Sequence, residues 1–60
     1  MDIETRVNEI LASHGYQKQS KQFSDWKDYE GAKRLCLMEI DPEGSEYDAV
    51  IAAVTRYLNV

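Results

Sequence analysis

The chain is 60 residues long, 43% hydrophobic and 30% charged, with a formal net charge of -4. A domain of this size removes only about 60% of its unfolded surface from water and holds one core, so residues 1-60 are expected to form a single small domain. The acidic balance argues against a duplex-DNA binder, which draws on Lys and Arg to neutralise phosphates. Cys36, the one cysteine, excludes an internal disulfide and a cysteine zinc site and fits a reducing compartment. The opening Met1-Asp2-Ile3-Glu4 lacks the regions of a signal peptide, and no apolar run approaches the roughly 20 residues that span a bilayer. A cytoplasmic protein without a membrane partner is the expectation.

The first element reads as a helix from about Asp2 to His14, with Ile3, Val7, Ile10, Leu11 and His14 on one face. Gly15 should end it in the left-handed conformation, with Tyr16 folding back toward Leu11. From Gln17 to Gln22 the chain is polar and without periodicity, and reads as a loop.

Ser24 to Ile40 admits two readings. As a helix, Ser24 caps, Asp25 and Asp28 lie near the positive end, Glu30 pairs with Arg34, and Trp26, Tyr29, Cys36, Leu37 and Ile40 share a face, with Leu35 and Met38 off it. As a strand, Lys33 to Ile40 would pair with Gln22 to Tyr29 across a turn at Glu30-Gly31. The proposed partner strand alternates poorly, and Ile40 is the only β-branched residue from Phe23 onward in this stretch, so the helix is preferred.

Asp41-Pro42-Glu43-Gly44 ends that element, because proline disfavours helical geometry in the residue before it. Ser45 with Asp48 three residues later forms the S-x-x-D version of a capping box, and Tyr47, Val50, Ile51, Val54, Tyr57 and Leu58 recur on one helical face. The fold class expected is all-α, a small three-helix bundle burying Ile3, Val7, Leu11, Trp26, Tyr29, Leu37, Val50, Ile51, Val54 and Leu58. The alternative is α+β, helices packed on a short β-hairpin.

No motif places a pair of titratable groups for acid-base or nucleophilic work, so the chain reads as non-catalytic, with no cofactor. The acids Glu39, Asp41, Glu43, Glu46 and Asp48 do not match an EF-hand, in which glycine holds the sixth position and glutamate the twelfth, and they read as helix-start charge. His14 is expected at the carbonyls closing the first helix, and Cys36 as a small apolar core group. Ala49, Ala52, Ala53 and Arg56 form a smooth strip opposite the apolar face of the last helix, on which a second helix could pack.

The middle third interleaves Tyr16, Phe23, Trp26 and Tyr29 with Lys18, Lys21, Lys27, Lys33 and Arg34. The leading functional reading is a small non-catalytic binding or regulatory protein that contacts another protein, with Phe23, Lys27 and Arg34 as the partner-binding residues. Phe23 would act either as a hydrophobic staple or as an aromatic anchor. The alternative is a single-stranded nucleic-acid-associated protein using the Tyr16 to Arg34 segment, whose rings would stack on bases beside a cationic groove. The small size also predicts a homodimer, since sharing a helix face across a two-fold axis buries surface that a short chain leaves exposed.

Overall fold

The computed structural model describes residues 2–22 and 24–60. Three α-helices follow one another, α1 (Ile3–Ser13), α2 (Trp26–Ile40) and α3 (Glu46–Leu58), with no strand among the described residues. The three-helix bundle is therefore the fold, and the hairpin alternative does not form: α2 runs unbroken through Gly31 and across Lys33 to Ile40. Its helix-forming residues outweigh one interior glycine, which costs about 1 kcal/mol.

The ends of each helix explain its length. Asp2 caps α1 by accepting the Thr5 N–H at 2.7 Å, a bond that also holds the Asp2 carboxyl below its ordinary pKa. At the other end Gly15 takes φ +90°, the Tyr16 N–H donates to the Leu11 carbonyl at 2.9 Å, and the Gly15 N–H donates to that of Ala12 at 3.1 Å. These two bonds are the Schellman ending expected from the Gly15-Tyr16 pair.

The cap of α2 differs from expectation, because Asp25 rather than Ser24 accepts the Lys27 and Asp28 amides. A carboxylate one residue further on meets the same orphan donors with a full negative charge at the positive end of the helix. Asp41 closes α2 in the left-handed region, φ 52°, and its N–H donates to the Leu37 carbonyl.

Ser45 precedes α3 but makes no side-chain cap bond, contrary to expectation. The chain is already right-handed helical at Ser45, and the Glu46 carboxylate reaches back to the Glu43 N–H at 3.4 Å. Of the expected box only the first-turn negative charge of Glu46 and Asp48 remains.

The core consists of Val7, Ile10, Leu11, Tyr29, Ala32, Cys36, Val50, Ala53, Val54, Tyr57 and Leu58, with Ile3, Tyr16, Leu35, Leu37 and Ile40 packed partly buried against it. Trp26, expected inside, is 62% exposed. It is the first residue of α2 and lies beyond the crossing of the three helices, where Ala32 and Cys36 allow close approach instead. Leu37, Ile51 and Ile3 are partly rather than fully buried, Leu35 joins the packing, and Ala53 leaves the expected surface strip for the core.

The Cα radius of gyration, 10.4 Å, matches the value of about 10 Å for a folded chain of this length. Small residues at the contacts let one chain close its own core.

Polar atoms cross-link the helices and the loop. The Thr55 hydroxyl donates to the Ile51 carbonyl at 2.8 Å, so its contact with the Tyr29 hydroxyl, also 2.8 Å, has Tyr29 as donor. Tyr57 donates its hydroxyl to the Tyr16 carbonyl at 2.6 Å, while the Gln19 N–H donates to the Tyr57 carbonyl at 2.9 Å. The polar loop is thereby fastened to the end of α3. Arg56 meets Glu4 at 2.6 Å, which joins α3 to the first turn of α1.

Candidate interaction face on α2 and α3

At 3.6 residues per turn, the buried residues Tyr29, Ala32 and Cys36 fix the inward side of α2, and Lys27, Arg34 and Met38 fall on the opposite side within about 40° of one another. Two of the three expected contact residues, Lys27 and Arg34, thus share one exposed line seven residues apart. Phe23, the third, lies outside the described residues. Met38 continues the line and is 74% exposed. It carries no motif, and the signal for it was its place off the buried face.

Beside this line runs the seam between α2 and α3. The two helices are antiparallel, joined by the short Asp41 to Ser45 connection, with Tyr29 facing Thr55 at one level and Leu37 facing Tyr47 and Ile51 toward the connection. A groove of about 190 Å³ lies there, lined by Glu30, Lys33, Arg34, Leu37, Tyr47 and Ile51. Its floor is apolar and its α2 rim is charged. Tyr47, expected on the buried face of α3, is 51% exposed at the edge of this groove.

Lys33 organises the other end of the seam. Its ammonium stands 4.2 Å from the centre of the Tyr29 ring and 5.6 Å from that of Trp26, and pairs with Glu30 at 3.0 Å. The Glu30 bond raises the Lys33 pKa, so this cation stays charged. Glu30 was expected to pair with Arg34. The Lys33 pair instead has its cation held over two rings, and Arg34 is left exposed with no acidic partner among the described residues. The Trp26 and Tyr29 rings meet at 5.2 Å and 59°, a tilted contact that orients the exposed indole.

The remaining chemistry-bearing residues do not converge. His14 does not cap the α1 carbonyls with its ring but directs Nε2 at Glu39 of α2, 3.3 Å away. Cys36 is fully buried, as expected for a small apolar group, and burial pushes its thiol up to about 11. Among the described residues no group of three His, Cys, Asp or Glu side chains is placed to hold a metal ion, and no helix is long and apolar enough to cross a membrane. A second concavity of about 240 Å³ lies beside the loop, lined by Gly15, Tyr16, Gln17, Gln19, Asp28 and Leu58, without paired acid-base groups.

Comparison with known proteins gives no match to a protein-family model, a curated protein or a solved structure.

Proposed function

We propose that this is a small non-catalytic binding protein, regulatory in role and acting in the cytoplasm, that engages another protein through the outward side of α2 and its seam with α3. The observation that carries the reading is the exposure of Trp26 and Met38 on α2 and of Tyr47 on α3 in a bundle whose core is otherwise closed. Large apolar side chains grouped on a surface mark interaction sites, and tryptophan, tyrosine and arginine are the residues most enriched at binding hot spots. Exposed Lys27 and Arg34 would supply the polar contacts beside them.

The test is quantitative capture from cells that express the protein, comparing the wild type with the Lys27→Glu, Arg34→Glu double variant and with Ala49→Glu on the exposed strip of α3. Proteins held by the wild type and by Ala49→Glu but lost from the double variant support the reading. Identical capture by all three moves the contact off α2, toward Ala49, Ala52 and Arg56.

One observation favours a second reading, a single-stranded nucleic-acid contact: Trp26 is not consumed by the core and stands close to Lys33. An exposed indole beside cations can stack on a base. Binding of labelled single strands that falls steeply with salt supports this alternative, and no binding at low salt removes it.

A further inference from the structure

Three side chains of α2 converge on the ammonium of a fourth. Trp26, Tyr29, Glu30 and Lys33 recur at the spacing that brings successive helical turns onto one side. The Lys33 ammonium stands over the Tyr29 ring at 4.2 Å and over the Trp26 ring at 5.6 Å, both within reach of a cation–π contact, and it pairs with the Glu30 carboxylate at 3.0 Å. The two rings are tilted at 59°, so they bound a wedge. The Lys33 side chain within it is only 20% exposed. Two aromatic faces and a carboxylate around one cation are the parts of an aromatic cage for ammonium groups.

The walls of the wedge are held independently of the cation. Tyr29 is buried and its hydroxyl is bonded to that of Thr55 on α3, so the ring keeps its place without Lys33, and Trp26 leans on that ring. The wedge is also reachable, because the indole is exposed and Glu30 and Lys33 line the groove between α2 and α3. From Asp25 to Arg34 three acids, Asp25, Asp28 and Glu30, accompany three cations, Lys27, Lys33 and Arg34. Lys27 and Arg34 lie exposed on the outward side, and Lys33 is the cation set between the rings. The positive end of the helix dipole opposes a cation this near the start of α2, and Asp25, Asp28 and Glu30 offset it.

We propose that Trp26, Tyr29 and Glu30 form a binding site for the alkylammonium group of a partner protein's lysine, with Lys33 as an internal occupant that the incoming lysine displaces. Lys33 shows what fits there, an ammonium at the end of an aliphatic stem. Methylation of the incoming amine keeps its charge, so a methylated lysine gives up the Glu30 hydrogen bond and gains contact with the rings. Because the resident must leave first, the site is open only in the fraction of molecules whose Lys33 has swung out, and the apparent affinity falls by that fraction. The inference rests on the reading of this face as a contact surface and names the chemistry the face takes from its partner.

Removing the resident opens the site to a probe. Nα-acetyl-lysine amide, its Nε-trimethyl form and the neutral Nα-acetyl-norleucine amide are titrated into the full chain at constant ionic strength. Nuclear magnetic resonance follows the indole N–H of Trp26, the single tryptophan, and the Tyr29 and Glu30 amides. Lys33→Ala is expected to bind both cations saturably with a Kd on the order of 10 mM, as suits one small cation on two rings. The wild type should bind them at least about tenfold more weakly, because its own ammonium competes. Adding Trp26→Ala to Lys33→Ala should weaken binding by about threefold, read at the two amides. The norleucine amide should give no saturable shift. Far-ultraviolet circular dichroism reports that each variant keeps its helices. Should Lys33→Ala lose helix, Lys33→Gln, a good helix former without the charge, takes the same titrations.

No saturable shift of Lys33→Ala up to about 100 mM, equal binding of the norleucine amide, or a wild type that binds as tightly as Lys33→Ala overturns the proposal, and Lys33 is then a contact that serves α2 alone. If the cations fail to bind while capture still depends on Lys27 and Arg34, the ammonium site fails and the proposed function stands. If the cations bind as expected and capture does not depend on α2, the reverse holds.

Discussion

Replacing Tyr57 by Phe isolates the bond that fastens the loop to α3. The ring of Tyr57 is buried, and Phe keeps its packing, so the change removes only the hydroxyl that donates to the Tyr16 carbonyl at 2.6 Å. A hydrogen bond of this kind, part-buried here, contributes about 1 kcal/mol net, which is the loss expected. In a 60-residue domain a loss of about 1 kcal/mol lowers Tm by roughly 4–8 °C. The Gln19 N–H, bonded to the Tyr57 carbonyl, should exchange with solvent faster in the variant because the loop has lost its second tether. Burial raises the Tyr57 phenol above its ordinary value of 10.0. The folded state therefore holds this proton more tightly than the unfolded state. Its contribution is fully present below about pH 10 and is lost as pH rises through the folded pKa, so wild type and variant should converge in alkali. Thermal melts at one low protein concentration from pH 7 to 11, with amide exchange at pH 7, provide the measurement. A Tm unchanged at pH 7 together with unchanged Gln19 exchange would refute the tether.

Three further outcomes are expected. Asp25→Ala should cost about 1 kcal/mol in urea unfolding through loss of the α2 cap, whereas Ser45→Ala, at a position with no side-chain cap bond, should stay within about 0.5 kcal/mol of the wild type. Leu11→Ala, in a fully buried position, should lose about 2–5 kcal/mol, enough to leave a domain this small largely unfolded by circular dichroism. The Cys36 thiol, at about 11 in the fold against an ordinary 9.0, should make stability fall as pH rises from about 9 to 11; Cys36→Ala should flatten that limb, and an aromatic disulfide reagent at pH 8 should label native Cys36 only as fast as the bundle opens.

The helices were legible because their signals are local. Gly15 followed by Tyr16 specifies an ending, Asp41-Pro42 stops a helix, and the apolar spacing of α1 and α3 requires a buried stripe. What sequence could not assign was position along the bundle. Trp26 and Tyr29 fall on neighbouring sides of one helix and look equally suited to a core, yet Tyr29 reaches Thr55 while Trp26, a helical turn earlier, leans on Tyr29 and Lys33 at the surface. The small residues were misread for a related reason. Ala53, read from its helical position as part of a surface strip opposite the apolar face, is 1% exposed, because close crossing of helices favours a side chain that takes little room. For the candidate face, the seven-residue spacing of Lys27 and Arg34 and the place of Met38 off the apolar face were readable, whereas Tyr47, read as part of the buried face of α3, emerges as exposed only in the fold.

The exposure of Trp26 changes the weight of the functional readings. While the indole was counted as core, the aromatic and basic stretch from Tyr16 to Arg34 had a structural explanation and little left to offer a partner. Among the described residues, Tyr29 is buried, Tyr16 packs on the core and Trp26 lies outside, so the surface contribution they make to that stretch is the Trp26 ring and the cations near it. A strand-binding groove needs several stacking platforms along a cationic track. Trp26, Met38 and Tyr47, each exposed on α2 or α3, together with the apolar floor of the seam favour the proposed protein contact, in which a few desolvated anchors would carry most of the binding and charges at the rim would set the register.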